Sequence, residues 1–307
     1  MIQSQLALLR REIWEHRAIF VVPVVVAIVM ALTSLTGQVT INDIEHIDIA
    51  VVGATNMPES ARAIALSGIM VGLSSPFVFA MWILTIFYTL DSLYAERKDR
   101  SILFWRSIPC TDFETVLSKL LTAVIVIPLV TFVIIMATHL LVLLNVSIWI
   151  DFRGGSAWHL IWAAVPFIDN WTATLVLLLA LPLWLSPFIG WFLFVSAFSK
   201  RSPLLIAASP IVLLPLLEKI LFGSVVVAET LFVRAVKMPL FAGLDNMDLL
   251  FQGEDHLETL ANTELSLLGL MDLGGFLANP NLWLGLLVCG LFTAAAIYVR
   301  RYRDESL

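Results

Sequence analysis

The stretch LYAERKDRSILFWRSIPCTDFETVLSKL, residues 93–120, interrupts a chain that is otherwise strongly apolar. Runs with almost no charge lie on both sides of it. The stretch itself carries nine charged side chains, and the two large aromatic residues Phe104 and Trp105 lie among them. A polar segment between two long apolar runs indicates a loop that joins two membrane-spanning helices.

The composition of the whole chain supports a membrane protein. Of the 307 residues, 60% are hydrophobic and 14% are charged, whereas a soluble domain has about 25% charged residues. We therefore predict an all-α integral membrane protein. The first apolar run lacks a small-residue cleavage site, so it is expected to remain as an anchor. Cys110 is expected in the cytoplasm and Cys289 within a membrane span, so no disulfide is predicted.

Six windows without charge predict six transmembrane helices, since about 20 apolar residues cross the hydrocarbon core. These windows cover residues 18–42, 63–90, 120–150, 170–199, 202–217 and 273–299. The fifth window contains Pro210 and Pro215 and ends at Glu218, so a tilted, a broken and a continued helix all remain open. No repeat or linker divides the chain, and residues 1–307 are interpreted as a single membrane domain.

The distribution of Lys and Arg predicts the orientation, because these residues accumulate in cytoplasmic loops. The two shorter loops on the opposite side contain Arg62 and Arg153 alone. Thirteen basic residues lie at the other ends of the predicted helices: Arg10, Arg11, Arg17, Arg97, Lys98, Arg100, Arg106, Lys119, Lys200, Arg201, Arg300, Arg301 and Arg303. Both termini and the loop 94–114 are therefore expected in the cytoplasm. The long acidic segment 218–272 is expected outside, as short amphipathic or half-inserted helices.

Local signals predict a short helix within the polar stretch. Asp99 or Ser101 can cap it, and Pro109 ends it. Thr111 and Glu114 then form a capping box that starts the next helix. Aromatic residues and arginine are enriched at the centres of protein interfaces, which favours a protein partner for the short helix. A helix that lies on the membrane surface is the alternative.

The polar stretch resembles the corresponding loop of permeases in the type-2 ABC exporter family. The resemblance rests on Tyr94, Glu96, Arg97, Asp99, Ile102, Ser107 and Pro109, followed by Lys119 at the head of an apolar run. The layout of six spans, a basic amphipathic N-terminal segment and a long outer segment before the last span is similar as well. The resemblance therefore extends over the full chain, although only this loop is motif-like.

The resemblance implies a role for each of these segments. Residues 1–17 would form an interfacial connecting helix, 94–114 would carry a coupling helix that docks on a separate ATPase, and 218–272 would contain re-entrant helices that gate the outer exit. The connecting helix would use Arg10, Arg11, Trp14 and Arg17. The ATPase-coupling residues would be Glu96, Arg97, Asp99, Arg100, Ile102, Leu103, Phe104, Trp105, Arg106 and Ser107.

No motif in this sequence identifies it as an enzyme. No glycine is followed by lysine, so the chain lacks the phosphate-binding motif of an ATPase. The five histidines are scattered without the spacing of a metal site, and we predict no catalytic or metal-binding residue. An intramembrane hydrolase is the remaining enzymatic alternative, with Ser67 as the nucleophile and His139 as the base.

The expected function is that of a permease subunit in an ATP-driven exporter of the bacterial plasma membrane. Charged residues are scarce within the predicted spans, which argues against ion-coupled transport and fits a hydrophobic or amphipathic cargo. The expected partners are an ABC ATPase, a second permease subunit in a homodimer and the lipid bilayer, without nucleic acid. ATP and magnesium would bind to the ATPase, and this chain would hold no cofactor. A scaffold or sensor subunit that moves no cargo is the alternative.

Overall fold

The computed structural model of the chain describes residues 2–40, 58–99, 110–240 and 266–302. Within these ranges the regular secondary structure is entirely helical, as predicted. The helices are α1 (Ile2–Glu15), α2 (Ala18–Thr40), α3 (Glu59–Lys98), α4 (Asp112–Leu121), α5 (Ile127–Phe152), α6 (Phe167–Trp184), α7 (Ser186–Phe198), α8 (Pro203–Phe222), α9 (Val226–Val236), α10 (Leu273–Ala278) and α11 (Pro280–Tyr302). π-helical turns occur at Thr122–Val126 and Trp158–Trp162.

Six helices are long and apolar enough to cross a membrane, which confirms the predicted number of spans. Five of them are α2, α3, α6, α8 and α11. The sixth is the continuous helix Asp112–Phe152, which consists of α4, the π-helical turn at Thr122–Val126 and α5. Helix α3 has 40 residues and the helix Asp112–Phe152 has 41. At 1.5 Å per residue each is about 60 Å long, roughly twice the thickness of the hydrocarbon core. The two helices that flank the polar loop are therefore longer than a membrane span requires.

The predicted fourth span over 170–199 is divided between two helices. Helices α6 and α7 meet at Leu185. Pro187 occupies the second position of α7 and has no amide hydrogen with which to continue the hydrogen-bond ladder of α6. The sixth predicted span is also divided, because Asn279 takes an extended conformation before Pro280.

The fifth span is continuous and longer than its charge-free window. Helix α8 extends through Pro210 and Pro215 and past Glu218 to Phe222. Gly223 then adopts a left-handed conformation, with φ of +67°, and ends the helix. Helix α9 begins three residues later and contacts α8. Within the predicted outer segment 218–272 the structure thus describes the end of α8 and helix α9, whereas 241–265 lie outside the described residues.

The centre of the bundle is an apolar core to which α2, α3, α5, α6 and α7 contribute. Phe77, Ile127, Leu178 and Ile189 are fully buried there. Helices α7 and α11 pack most closely, because Gly190 lies against the backbone of Cys289. A Cβ atom at position 190 would come within 2.8 Å of the Cα atom of Cys289. Close packing of this pair fixes α11 against the rest of the bundle.

Candidate functional site: a buried charge cluster

Charged side chains from four helices meet at one end of the bundle, next to the polar loop. We call this group the charge cluster and its location the charged end. The cluster comprises Arg11 and Glu12 of α1, Glu96 of α3, Asp112 and Lys119 of α4, and Arg300 of α11. It thereby joins parts of the chain that are far apart in sequence.

Glu96 is at the centre of the cluster and is 3% exposed. Its Oε1 atom lies 3.0 Å from Nη2 of Arg11 and 3.0 Å from Nζ of Lys119. Its Oε2 atom accepts a hydrogen bond of 2.6 Å from Nη1 of Arg300. Arg300 also donates from Nε to the carboxylate of Asp112 at 2.9 Å. A single carboxylate therefore binds cations from three other helices.

Glu12 is the second buried acid of the cluster. Its Oε1 atom accepts a hydrogen bond of 2.9 Å from Nζ of Lys119, and its Oε2 atom accepts one of 2.8 Å from the Tyr88 hydroxyl. Lys119 is itself 1% exposed. The N-terminal helix is thus attached to α3 and α4 by buried polar bonds, and Leu8 of the same helix is buried as well.

His16 lies at the edge of the cluster, at the junction of α1 and α2. Its Nε2 atom is 3.6 Å from Oε2 of Glu12, and its ring packs edge-on against Tyr88. Burial lowers the pKa of His16; the charge of Glu12 opposes this shift, and that of Lys119 adds to it. The neutral imidazole is therefore the form that the folded protein favours.

The charges of the cluster are balanced, with three bases and three acids. Removing ions from water costs several kcal/mol each, and this cost is recovered only where each ion has partners in good geometry. The distances of 2.6–3.0 Å around Glu96 meet that condition. Loss of one partner would leave buried charges without compensation, so the cluster requires α1, α3, α4 and α11 in one fixed arrangement.

A second set of polar contacts ties the same end of α3 to α7. The Arg97 guanidinium donates to the carbonyl oxygens of Ser196 and Ser199, at 2.6 and 2.8 Å. The Ser196 hydroxyl accepts hydrogen bonds from the amides of Leu93 and Tyr94. A cation at these carbonyls also complements the negative end of the α7 dipole.

Three of the predicted ATPase-coupling residues are described by the structure. Glu96 and Arg97 bind other helices of this chain, as described above. Asp99 is exposed and caps the C-terminal end of α3, with its amide bonded to the carbonyl of Ala95. The remaining predicted coupling residues lie outside the described residues: Arg100, Ile102, Leu103, Phe104, Trp105, Arg106 and Ser107.

The predicted residues of the connecting helix differ in exposure, and Arg17 lies between α1 and α2. Arg10, Trp14 and Arg17 are exposed, and Trp14 is 74% exposed. Arg11 points to the charge cluster instead. An exposed tryptophan beside basic residues is typical of the boundary between membrane and water. The capping box of Thr111 and Glu114 at the start of α4 is confirmed, with both of its hydrogen bonds present.

Sequence reasoning missed Glu12, Tyr88 and the structural roles of Lys119 and Arg300. One local signal for Glu12 exists, because it lies four residues after Leu8 and hence on the apolar face of α1. An acid on that face requires a buried cation. Lys119 and Arg300 were recognised only as bases that flank predicted spans.

The residues considered for an intramembrane hydrolase have different partners. The Ser67 hydroxyl accepts a hydrogen bond of 3.0 Å from the Asn170 amide nitrogen. His139 is fully buried, and its Nε2 atom lies 3.2 Å from the hydroxyl of Ser74. The Ser74 hydroxyl also donates to the Met70 carbonyl. The structure therefore pairs His139 with Ser74 instead of Ser67.

Comparisons with protein-family models, with curated proteins and with solved structures found no match to this chain.

Proposed function

We propose that this chain is the membrane permease subunit of an ATP-driven exporter of the type-2 ABC kind. It works as a homodimer with a separate ATPase, in a bacterial plasma membrane with the charged end in the cytoplasm. The observation that carries the proposal is the salt bridge of 3.0 Å between Glu96 and Lys119. This bond joins the two helices that flank residues 100–109, at the base of the proposed coupling loop.

The lengths of these helices suit the transmission of movement across a membrane. Helix α3 and the continuous helix Asp112–Phe152 both begin or end at the coupling loop, and both extend to the opposite end of the bundle. In the proposed mechanism, ATP binding closes the two ATPase subunits and displaces the loop. Because Glu96 and Lys119 fix the two helices to each other, they move together instead of separating.

The charge cluster distributes this movement to further helices. Arg11 and Glu12 attach α1, and Arg300 attaches α11, to the same two helices. Arg97 adds α7 through the carbonyls at its C-terminal end. A displacement at the loop therefore acts on five elements of the bundle. Buried ion pairs often contribute little net stability to a protein. A role in holding the helices in one register is consistent with their presence here.

The proposed cargo is hydrophobic or amphipathic, moved out of the cytoplasm or the inner leaflet. Ion-coupled transporters commonly use carboxylates within their spans. The buried acids of the described spans, Glu96 and Glu114, lie at the charged end and not midway along a helix. The position of these acids at the charged end is consistent with transport that is driven by an external source of energy, which an ATPase supplies.

Purification of the full-length chain from its native membrane tests the proposal. We expect a nucleotide-binding chain to co-purify in equal amount, and the complex in lipid vesicles to hydrolyse ATP in a vanadate-sensitive manner. Absence of any ATPase under conditions that preserve the homodimer would contradict the proposal. An assembled complex whose vesicles export no lipophilic compound would instead favour a scaffold or sensor subunit.

A further inference from the structure

A large cavity lies between helices α8 and α9 on one side and α6, α7 and α11 on the other. Its volume is about 1500 Å³, larger than the roughly 300–1,000 Å³ of sites for drug-sized ligands. Most of its wall is apolar and includes Trp184, Trp191 and Phe292. Such a cavity suits long hydrocarbon chains better than a compact polar molecule.

Arg234 of α9 is held in the wall of this cavity by three contacts. Its guanidinium carbon lies 3.9 Å from the centre of the Trp184 ring, and the indole nitrogen of Trp184 donates to the Arg234 carbonyl at 2.9 Å. The Nη1 atom of Arg234 donates to the carbonyl of Asn281 at 2.8 Å. The cation–π contact and the bond to Asn281 therefore fix the guanidinium at the first turn of α11, and the bond from Trp184 holds the backbone of Arg234.

The position of Arg234 also depends on a glycine. A Cβ atom at Gly285 would lie 2.0 Å from the Nη2 atom of Arg234. Any larger residue at position 285 would therefore displace the guanidinium. The close approach shows that the arginine is packed into the helix interface, whereas a surface arginine would extend into solvent.

The guanidinium is only partly paired. Its Nε and Nη2 atoms are packed inside the helix interface and have no hydrogen-bond partner among the described residues. No acid of the described residues forms an ion pair with Arg234, so its positive charge attracts an anion in the cavity. Lys237, the residue that follows the last residue of α9, also lines the cavity, as does Glu229. Among the described lining residues two cations thus face one acid, which favours an anionic ligand.

We infer that this cavity binds an anionic glycerophospholipid of the bilayer, with its phosphate on Arg234 and its acyl chains along the apolar wall. The planar guanidinium matches the geometry of phosphate oxygens. Lys237 adds a second positive charge near the headgroup. The inference requires a membrane protein but does not rest on the exporter proposal, because no ATPase takes part in lipid binding.

Native mass spectrometry of the full-length chain in a neutral detergent tests this site. The chain is given equal amounts of dioleoyl phosphatidylglycerol and dioleoyl phosphatidylcholine, and the ratio of bound lipids is measured. We expect a preference of roughly tenfold for phosphatidylglycerol, the scale of a charge-assisted hydrogen bond. Arg234→Gln should abolish the preference, and Lys237→Gln should reduce it.

Two further variants make the result specific. Gly285→Ala should also lose the preference, because it moves the guanidinium without removing its charge, and it decides the outcome if Arg234→Gln does not fold. Arg153→Gln is the matched control, since Arg153 lies over the ring of Trp149 in another part of the protein. Equal binding of both lipids by the unaltered chain would overturn the inference. A preference that survives both Arg234→Gln and Gly285→Ala, or that is lost equally in Arg153→Gln, would overturn it as well.

Discussion

The carboxylate of Glu96 lies 2.6 Å from the guanidinium of Arg300, although 204 positions separate the two residues in the chain. The contact joins the end of α3 to the last turn of α11. Lys119 and Arg11 bind the other oxygen of the same carboxylate. The base of the polar loop is therefore a rigid point at which the first, third, fourth and last helices meet.

Replacement of Glu96 by glutamine should destabilise the protein by about 3 kcal/mol, because breaking a buried ion pair leaves charges without a partner. The free energy of unfolding can be measured by titration with sodium dodecyl sulfate in mixed micelles. Glu15→Gln is the control, since Glu15 forms a more exposed pair with Arg11 on α1 and should change the value by less than about 0.5 kcal/mol. Equal effects of the two substitutions would show that the cluster contributes no more than a surface pair.

Stability should fall at acid pH partly through His16. Its pKa is lowered in the folded protein, so the unfolded state binds the proton more readily. The contribution of the neutral imidazole is complete above the unfolded pKa of about 6.5. It is lost as pH falls through that value towards the folded pKa. Melting temperatures between pH 8 and pH 5 should therefore decrease less in His16→Gln than in the unaltered protein. Parallel curves would contradict this assignment.

The orientation is tested by cysteine labelling in intact cells, in a variant with Cys110 and Cys289 replaced. Cysteines at Lys98 and Arg201, which are exposed at the charged end, should react with a membrane-impermeant maleimide only after the cells are opened. A cysteine at Ser156, beyond the far end of α5, should react in intact cells. Labelling of Lys98→Cys from outside would reverse the proposed topology.

The all-helical fold and the number of helices long enough to span a membrane could be predicted from the sequence, because each span depends on a local apolar run. The capping box at Thr111 was equally accessible, since its two partners are three residues apart. The division of the fourth span at Leu185 was missed, although Pro187 marks the position. Proline is tolerated in many membrane helices, so its presence alone does not locate a break.

The charge cluster could not be predicted in this way. Glu96 and Arg300 were each visible as charged residues at the end of a span, and such residues usually face water or lipid headgroups. Their pairing depends on the packing of α7 against α11 at Gly190, a tertiary contact without a local signal. Glu12 was missed as well, although its placement on the apolar face of α1 is a local signal for a buried acid; that signal does not identify its partner.

The most direct test of the proposed function concerns the two aromatic residues of the loop. The double variant Phe104→Ala/Trp105→Ala should lose the bound ATPase, or keep it with hydrolysis uncoupled from the permease. Truncation of a buried aromatic anchor in an interface costs on the order of 2–4 kcal/mol. The matched control is Phe152→Ala/Trp158→Ala, because both residues are exposed at the opposite end of the bundle.

The decisive measurement is the amount of ATPase that co-purifies with each variant, together with the rate of ATP hydrolysis in the purified complex. We predict full assembly and activity for the unaltered chain and for the Phe152→Ala/Trp158→Ala control. We predict loss of bound ATPase or of coupled hydrolysis for Phe104→Ala/Trp105→Ala, with the homodimer intact. A loop variant that assembles fully and hydrolyses ATP at the unaltered rate would contradict the proposed coupling to an ATPase.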